Sequence, residues 1–263
     1  MRRILLSAIV LIATSIPAGA WGQPAISSEI APLGKLRVLT SGTNPVLVRR
    51  TPDGKIIGGV ALDVGKFIAE KLGVSFELIP SAGAQAYADT LGKGEWDIAI
   101  GAPTALAAEK ADFGPDLVLV DFMYVAAPGR EFADAVQVDR PGVKIGVSRD
   151  SGPDQFLSRT LKSAELVRLT SGEASEALRS GKVDAFFTDA VRANRLVDSL
   201  VPGAKIVPGA RSVERWTVAL AKGRSSAAQG KLAEIVNEAK RTGVVAKAIE
   251  QAGFKGVVRV APD

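Results

Sequence analysis

The chain of 263 residues contains no cysteine and no histidine. Without histidine there is no Ser-His-Asp or Cys-His catalytic pairing. The commonest metal ligand and the usual charge switch near neutral pH are also missing. Without cysteine there is no disulfide, no thiolate nucleophile and no lipid attachment point of the lipoprotein kind. Aromatic residues make up only 5% of the chain. The net charge of +5 comes from basic residues that are scattered along the sequence, not gathered in a stripe, which argues against a nucleic-acid partner. These absences remove histidine- and cysteine-based chemistry, and no catalytic residue, metal site or cofactor is assigned.

What is present begins with an export signal. Arg2 and Arg3 precede an apolar run from Ile4 to Ile16, and Ala18-Gly19-Ala20 fits a small-x-small cleavage site. The run is shorter than the roughly 20 residues of a membrane span. The expectation is a soluble exported protein, not lipid-anchored, with residues 1–20 removed.

The remainder is organised around a phrase that occurs twice. Leu91 to Gly101 and Ser180 to Asp189 each read as a helix stopped by glycine, an aspartate and a short apolar strand. Each copy is part of a βαβ unit, so the chain is expected to form two α/β lobes. From Leu36 to Gly101, strands Leu36–Thr40, Val74–Ile79 and Trp96–Ile100 alternate with helices Asp63–Leu72 and Gln85–Leu91. The second set comprises strands Lys144–Val147, Glu165–Leu169, Val183–Phe187 and Lys205–Val207. Its helices are Asp154–Leu161, Glu173–Arg179 and Ala190–Leu200. Two β-like runs, Leu117–Val125 and Glu214–Leu220, are expected to cross between lobes. Helices Ala227–Arg241 and Val244–Gln251 follow, and the tail from Val257 carries no clear signal. The expected domains are 30–119 with 214–263, and 124–210. Ligands of such sheets bind beyond the carboxyl ends of strands, which places Asn44 in the loop after the first strand, and Asp189, at a cleft.

Several phrases in order resemble a known family: Gly34-Lys35-Leu36-Arg37-Val38, Pro52-Asp53-Gly54-Lys55, Gly59-Val60-Ala61-Leu62-Asp63-Val64, Gly94-Glu95-Trp96-Asp97-Ile98, Asp112-Phe113-Gly114-Pro115 and Gly181-Lys182-Val183-Asp184-Ala185. Together they are similar to the polar amino-acid (family 3) periplasmic solute-binding proteins of ABC importers, over about Leu33 to Gly253. The resemblance implies the type II two-lobed α/β fold with two hinge crossings that closes on its ligand. It also implies a small polar solute and an inner-membrane ABC permease as partners. The family's ammonium-binding aspartate matches Asp189, which suits a helix N-cap equally well. The first threonine of its carboxylate-binding phrase matches Thr104, but the arginine of that phrase falls near Ala108 or Glu109. Its aromatic pocket residue becomes Val46. Its Gly-Thr-Thr turn becomes Asp150-Ser151-Gly152, where Ser151 and Gly152 form either an anion seat or an ordinary helix cap. Arg149, Lys110, Arg49 and Arg50 are candidate replacement cations. The pattern therefore implies a solute whose cationic or donor end is held by Asp189. Two other readings on this scaffold are a cyclohexadienyl-type dehydratase and an accessory protein of a periplasmic oxidoreductase.

Overall fold

The structure, a computed structural model, describes residues 26–103, 105–170 and 172–263. The export signal and Thr104 lie outside the described residues. In chain order the elements are α1 (Ile26–Ile30), β1 (Lys35–Ser41), β2 (Arg49–Arg50), β3 (Ile56–Gly58), α2 (Val60–Leu72), β4 (Ser75–Ser81), α3 (Ala84–Lys93), β5 (Ile98–Gly101), α4 (Ala105–Lys110) and β6 (Ala111–Ala126). There follow β7 (Lys144–Ser148), α5 (Gly152–Thr160), β8 (Glu165–Leu169), α6 (Ala174–Arg179), β9 (Ala185–Asp189) and α7 (Ala190–Arg195), which runs into a π-helical turn, Leu196–Leu200. The chain ends with β10 (Lys205–Ile206), β11 (Ser212–Ala221), α8 (Ser226–Arg241), α9 (Val244–Gln251) and β12 (Val258–Val260).

The main sheet runs β4-β1-β5-β11-β6-β9-β7-β8. At one end β1 is parallel to β4 and β5; at the other, β7 is parallel to β8 and β9. The two long strands β6 and β11 are antiparallel to each other and lie between these parallel sets. β5 joins β11, and β9 joins β6 along Phe122 to Ala126. The register of β6 with β11 slips where Gly114 and Pro115 face Val218. Proline has no N–H for the ladder, and an added Cβ on Gly114 would meet the Val218 carbonyl oxygen at 2.6 Å, so a bulge is the conformation these residues allow. β12 was not foreseen; three residues in an unpatterned tail pair with Val118 to Val120 of β6.

The repeated phrase has one physical job in both halves. Asp97, fully buried, accepts from the backbone N–H of Arg37 at 2.9 Å, and its own N–H donates to the Arg37 carbonyl at 2.9 Å. Asp184 accepts from the Lys144 N–H at 2.8 Å and donates to the Lys144 carbonyl at 2.8 Å. Each aspartate thus fastens the start of its strand segment to the central strand beside it. Arg37 completes a forked pair on Asp97, with Nε at 3.1 Å and Nη2 at 2.9 Å.

Helix α2 begins three residues before the expected start. Asp63 is not its cap; Gly59 is, with no side-chain cap bond. The first helical N–H groups are met by loop backbone instead, Val60 donating to the Val46 carbonyl at 2.9 Å and Ala61 to that of Leu47 at 3.1 Å. This ties the loop after β1 to the helix. Gly59 sits at φ 116, and a Cβ there would also strike the Leu47 carbonyl and approach Val48 Cα at 2.9 Å. Gly59→Ala should therefore lower stability by roughly 2–4 kcal/mol, from backbone strain plus a clash with atoms that cannot swing away. A denaturant titration showing an unchanged midpoint would contradict this packing.

No helix among the described residues is long and apolar enough to cross a membrane.

Candidate functional site

The cleft is set by register on β6. Phe122 pairs with Asp189 of β9 on one side and with Ser212 of β11 on the other. Two residues along β11 from Ser212 stands Glu214. Asp189 and Glu214 thereby reach one cavity of about 560 Å³, lined also by Ser41, Thr43, Asn44, Leu47, Gly83, Tyr87, Ala88, Ile100, Gly101, Ala102 and Trp216. Its walls come from the loop after β1, the start and body of α3, the end of β5 and both long-strand neighbours. Among the described residues no lysine or arginine lines it.

Asp189 ends β9 and caps α7: Oδ1 accepts from the Arg192 N–H at 3.0 Å, and Oδ2 accepts from Thr188 Oγ1 at 3.3 Å. Glu214 Oε2 accepts from Trp216 Nε1 at 2.7 Å. Burial pushes the Glu214 carboxyl above its ordinary 4.5; the Trp216 bond opposes this, and the Asp189 charge adds to it. Burial also holds the Tyr87 phenol up to about 12, so it stays protonated. Asn44 turns its Oδ1 back to the N–H groups of Val46 (3.0 Å) and Leu47 (3.4 Å), which stiffens the loop that carries Thr43.

A second cavity, of about 620 Å³, shares Ser41, Thr43, Asn44 and Asp189 with the first. Its other walls are Pro45, Gly172, Ser175, Val191, Arg192, Arg195, Leu196 and Leu200. Arg192 Nη1 donates to Ser148 Oγ at 2.6 Å, and its guanidinium lies 5.0 Å from the Phe186 ring centre. Burial lowers its pKa, Asp189 raises it, and Arg195 lowers it.

Of the residues singled out from sequence, Asn44 and Asp189 line both cavities. Ser151, Gly152 and Arg149 line neither among the described residues. Ser151 is committed to capping α5, its Oγ accepting from the Asp154 N–H at 3.2 Å and donating to the Ser148 carbonyl at 2.6 Å. Arg149 is exposed, and Lys110, Arg49 and Arg50 line neither cavity. Val46, at the family's aromatic position, is fully buried in the core. Sequence reasoning missed Glu214, which it read only as the first residue of a crossing strand. It also missed Arg192 and Arg195, although the spacing Asp189-x-x-Arg192-x-x-Arg195 stands plainly in the sequence.

Neither the family models nor the curated proteins yield a match. Solved structures do. An ancestral arginine-binding protein bound to glutamine is 28% identical with a TM-score of 0.63, over 84% of this chain and 98% of that one. The amino-acid ABC transporter substrate-binding protein AbpA from Streptococcus pneumoniae, bound to L-arginine, is 23% identical with a TM-score of 0.65, over 86% and 97%. An ancestral amino-acid-binding protein described as a precursor of cyclohexadienyl dehydratase is 22% identical with a TM-score of 0.65, over 86% and 99%. By fold, this chain is similar to these two-lobed binding proteins. Both cavities take residues from the loop after β1 and from the end of β9, beyond the carboxyl ends of strands, where open α/β sheets place their sites.

Proposed function

We propose that this protein captures a small organic cation between two lobes, residues 30–119 with 214–263 and residues 124–210, and delivers it to an ABC permease. The observation that carries the reading is the first cavity: two carboxylates, aromatic and hydroxyl walls, and no lining lysine or arginine among the described residues. A cation entering such a cavity pairs with Asp189 and Glu214 and loses its water against Tyr87 and Trp216, where aromatic faces attract positive charge. The arginine named with several of the similar solved proteins agrees with this preference. On this reading the mature chain works as a periplasmic monomer after removal of residues 1–20. The dehydratase reading calls for cations facing two substrate carboxylates; the first cavity presents carboxylates instead, and Arg192 and Arg195 line only the adjoining one, which favours binding of a cation in the first.

The pH dependence follows from Glu214. Its carboxyl pKa is raised in the folded protein, so the protonated form stabilises the fold, and that contribution is lost as pH rises above 4.5 through the raised value. A bound cation favours the ionised form. Affinity for the cation should therefore increase over the same rise in pH, with a proton released on binding, and Glu214→Gln should flatten both profiles. Calorimetry in buffers of different ionisation enthalpy, with agmatine and putrescine against uncharged and anionic compounds of similar size, tests the function. Binding confined to cations, with proton release, is the expected result. Binding confined to anions, or to none of the panel, would refute the reading.

A further inference from the structure

Glu214 is approached from two sides, and one of the two neighbours lies outside the cavity that Glu214 lines. Trp216 Nε1 donates to its Oε2 at 2.7 Å. Its other oxygen, Oε1, faces the start of α5. A Cβ added to Gly152 would come within 3.2 Å of Oε1 and 3.4 Å of the Phe122 ring, tighter than most Cβ contacts in proteins. The ring has little room to retreat, since Phe122 is buried and packs edge-on against Phe187, with ring centres 5.8 Å apart. The cap bonds of Ser151 and the ring of Pro153 fix the backbone on either side of Gly152. A side chain at 152 would therefore press on the carboxylate, the end of a flexible chain, and turn it off the Trp216 N–H. The charged groups on the elements around Glu214 are mostly tied elsewhere. Asp154 of α5 pairs with Arg168, Arg215 of β11 with Asp116 of β6, and Asp121 of β6 with Arg259. Asp189, with Arg192 beside it, acts on Glu214 through its charge, and Tyr87 across the cavity stays protonated.

We infer that Gly152 is a positioning residue for the cation site: the space left by its missing Cβ lets the Glu214 carboxylate sit against the Trp216 N–H in the cavity it shares with Asp189. This inference rests on the cation reading above and adds a control on the same carboxylate from a different element. Trp216 supplies a bond that favours the ionised carboxyl, and Gly152 supplies the room in which that bond forms. A methyl group at 152 would act against the charged form twice, by breaking the bond and by taking water from Oε1.

The test is a double-mutant cycle on the whole protein with agmatine as the probe: wild type, Gly152→Ala, Glu214→Ala and the two combined. Gly152→Ala should weaken agmatine by roughly tenfold, the scale of one hydrogen bond to a charged group. In the Glu214→Ala background it should change affinity by less than about twofold. Alanine before Pro153 also crowds the proline ring, but that cost is present in both backgrounds and cancels in the cycle. A second measurement needs no ligand. The Glu214 carboxyl, followed by carbon NMR and assigned by its loss in Glu214→Gln, should titrate at higher pH in Gly152→Ala than in the wild type. Trp216→Phe, which keeps an aromatic ring and removes the donor, should raise it as well. An effect of Gly152→Ala that is equal in both backgrounds, or a Glu214 titration that it leaves in place, would overturn the positioning role while leaving the cation site standing. If agmatine does not bind the wild type, the cation reading falls, and the NMR titration alone decides whether Gly152 positions Glu214.

Discussion

Asp189→Asn is expected to lower affinity for the bound cation by roughly 2–5 kcal/mol, the range for breaking a desolvated charge pair. The same substitution should leave stability close to that of the wild type. Asparagine is as good an N-cap as aspartate, so the bond that Oδ1 accepts from the Arg192 N–H can be kept while the charge is lost. Alanine is the less informative change, because it also removes the cap, at about 1 kcal/mol. Calorimetry and thermal unfolding on the same samples separate the two roles. If Asp189→Asn binds the cation like the wild type, the carboxylate is a cap and nothing more.

The second large effect concerns the frame of the cleft. Asp97→Ala should destabilise the protein by roughly 3–5 kcal/mol, since it strands a largely buried cation and an unpaired backbone N–H. Asp97 is fully buried, and the Arg37 side chain is 18% exposed. The hydrogen bonds that Arg37 donates to Asp97 raise its pKa, and with Asp97 gone the guanidinium still stays charged, because arginine does not lose its proton in proteins. Replacing both residues, as in Arg37→Met with Asp97→Ala, should recover part of the loss. Asp184 holds the matching place in the other half, but its partner Arg130 is 60% exposed, so Asp184→Ala should cost less. Chemical denaturation of the single and double variants measures these differences. A double variant no more stable than Asp97→Ala would mean that the ion pair is not what holds β1 and β5.

The alternation of strands and helices was legible because it is a local property. Glycine stops such as Gly73 and strand candidates such as Glu165–Leu169 appear in the structure as read. The two aspartates were legible as strand-entry residues because the phrase around them repeats. Helix α2 was misplaced at its start because backbone carbonyls of the loop Val46-Leu47 do the capping, and no side chain announces that. The cleft was only half legible. Asn44 and Asp189 follow strand ends, so a rule about parallel sheets points to them. Glu214 lies inside a strand, and only the pairing of Phe122 with both Asp189 and Ser212 brings it to the same cavity. Ser151 offered the right chemistry in sequence, but its hydroxyl is used up in capping α5. The long-range register that decides such matters is not written in any one segment.

The central claim, a cleft that selects positive charge through Asp189 and Glu214, is tested most directly by mass spectrometry of small molecules released from protein purified under native conditions. The wild type should release a compound bearing an amine or guanidine, and Asp189→Asn prepared in parallel should carry little of it. A released compound with no cationic group, or equal loading of wild type and Asp189→Asn, would contradict the account.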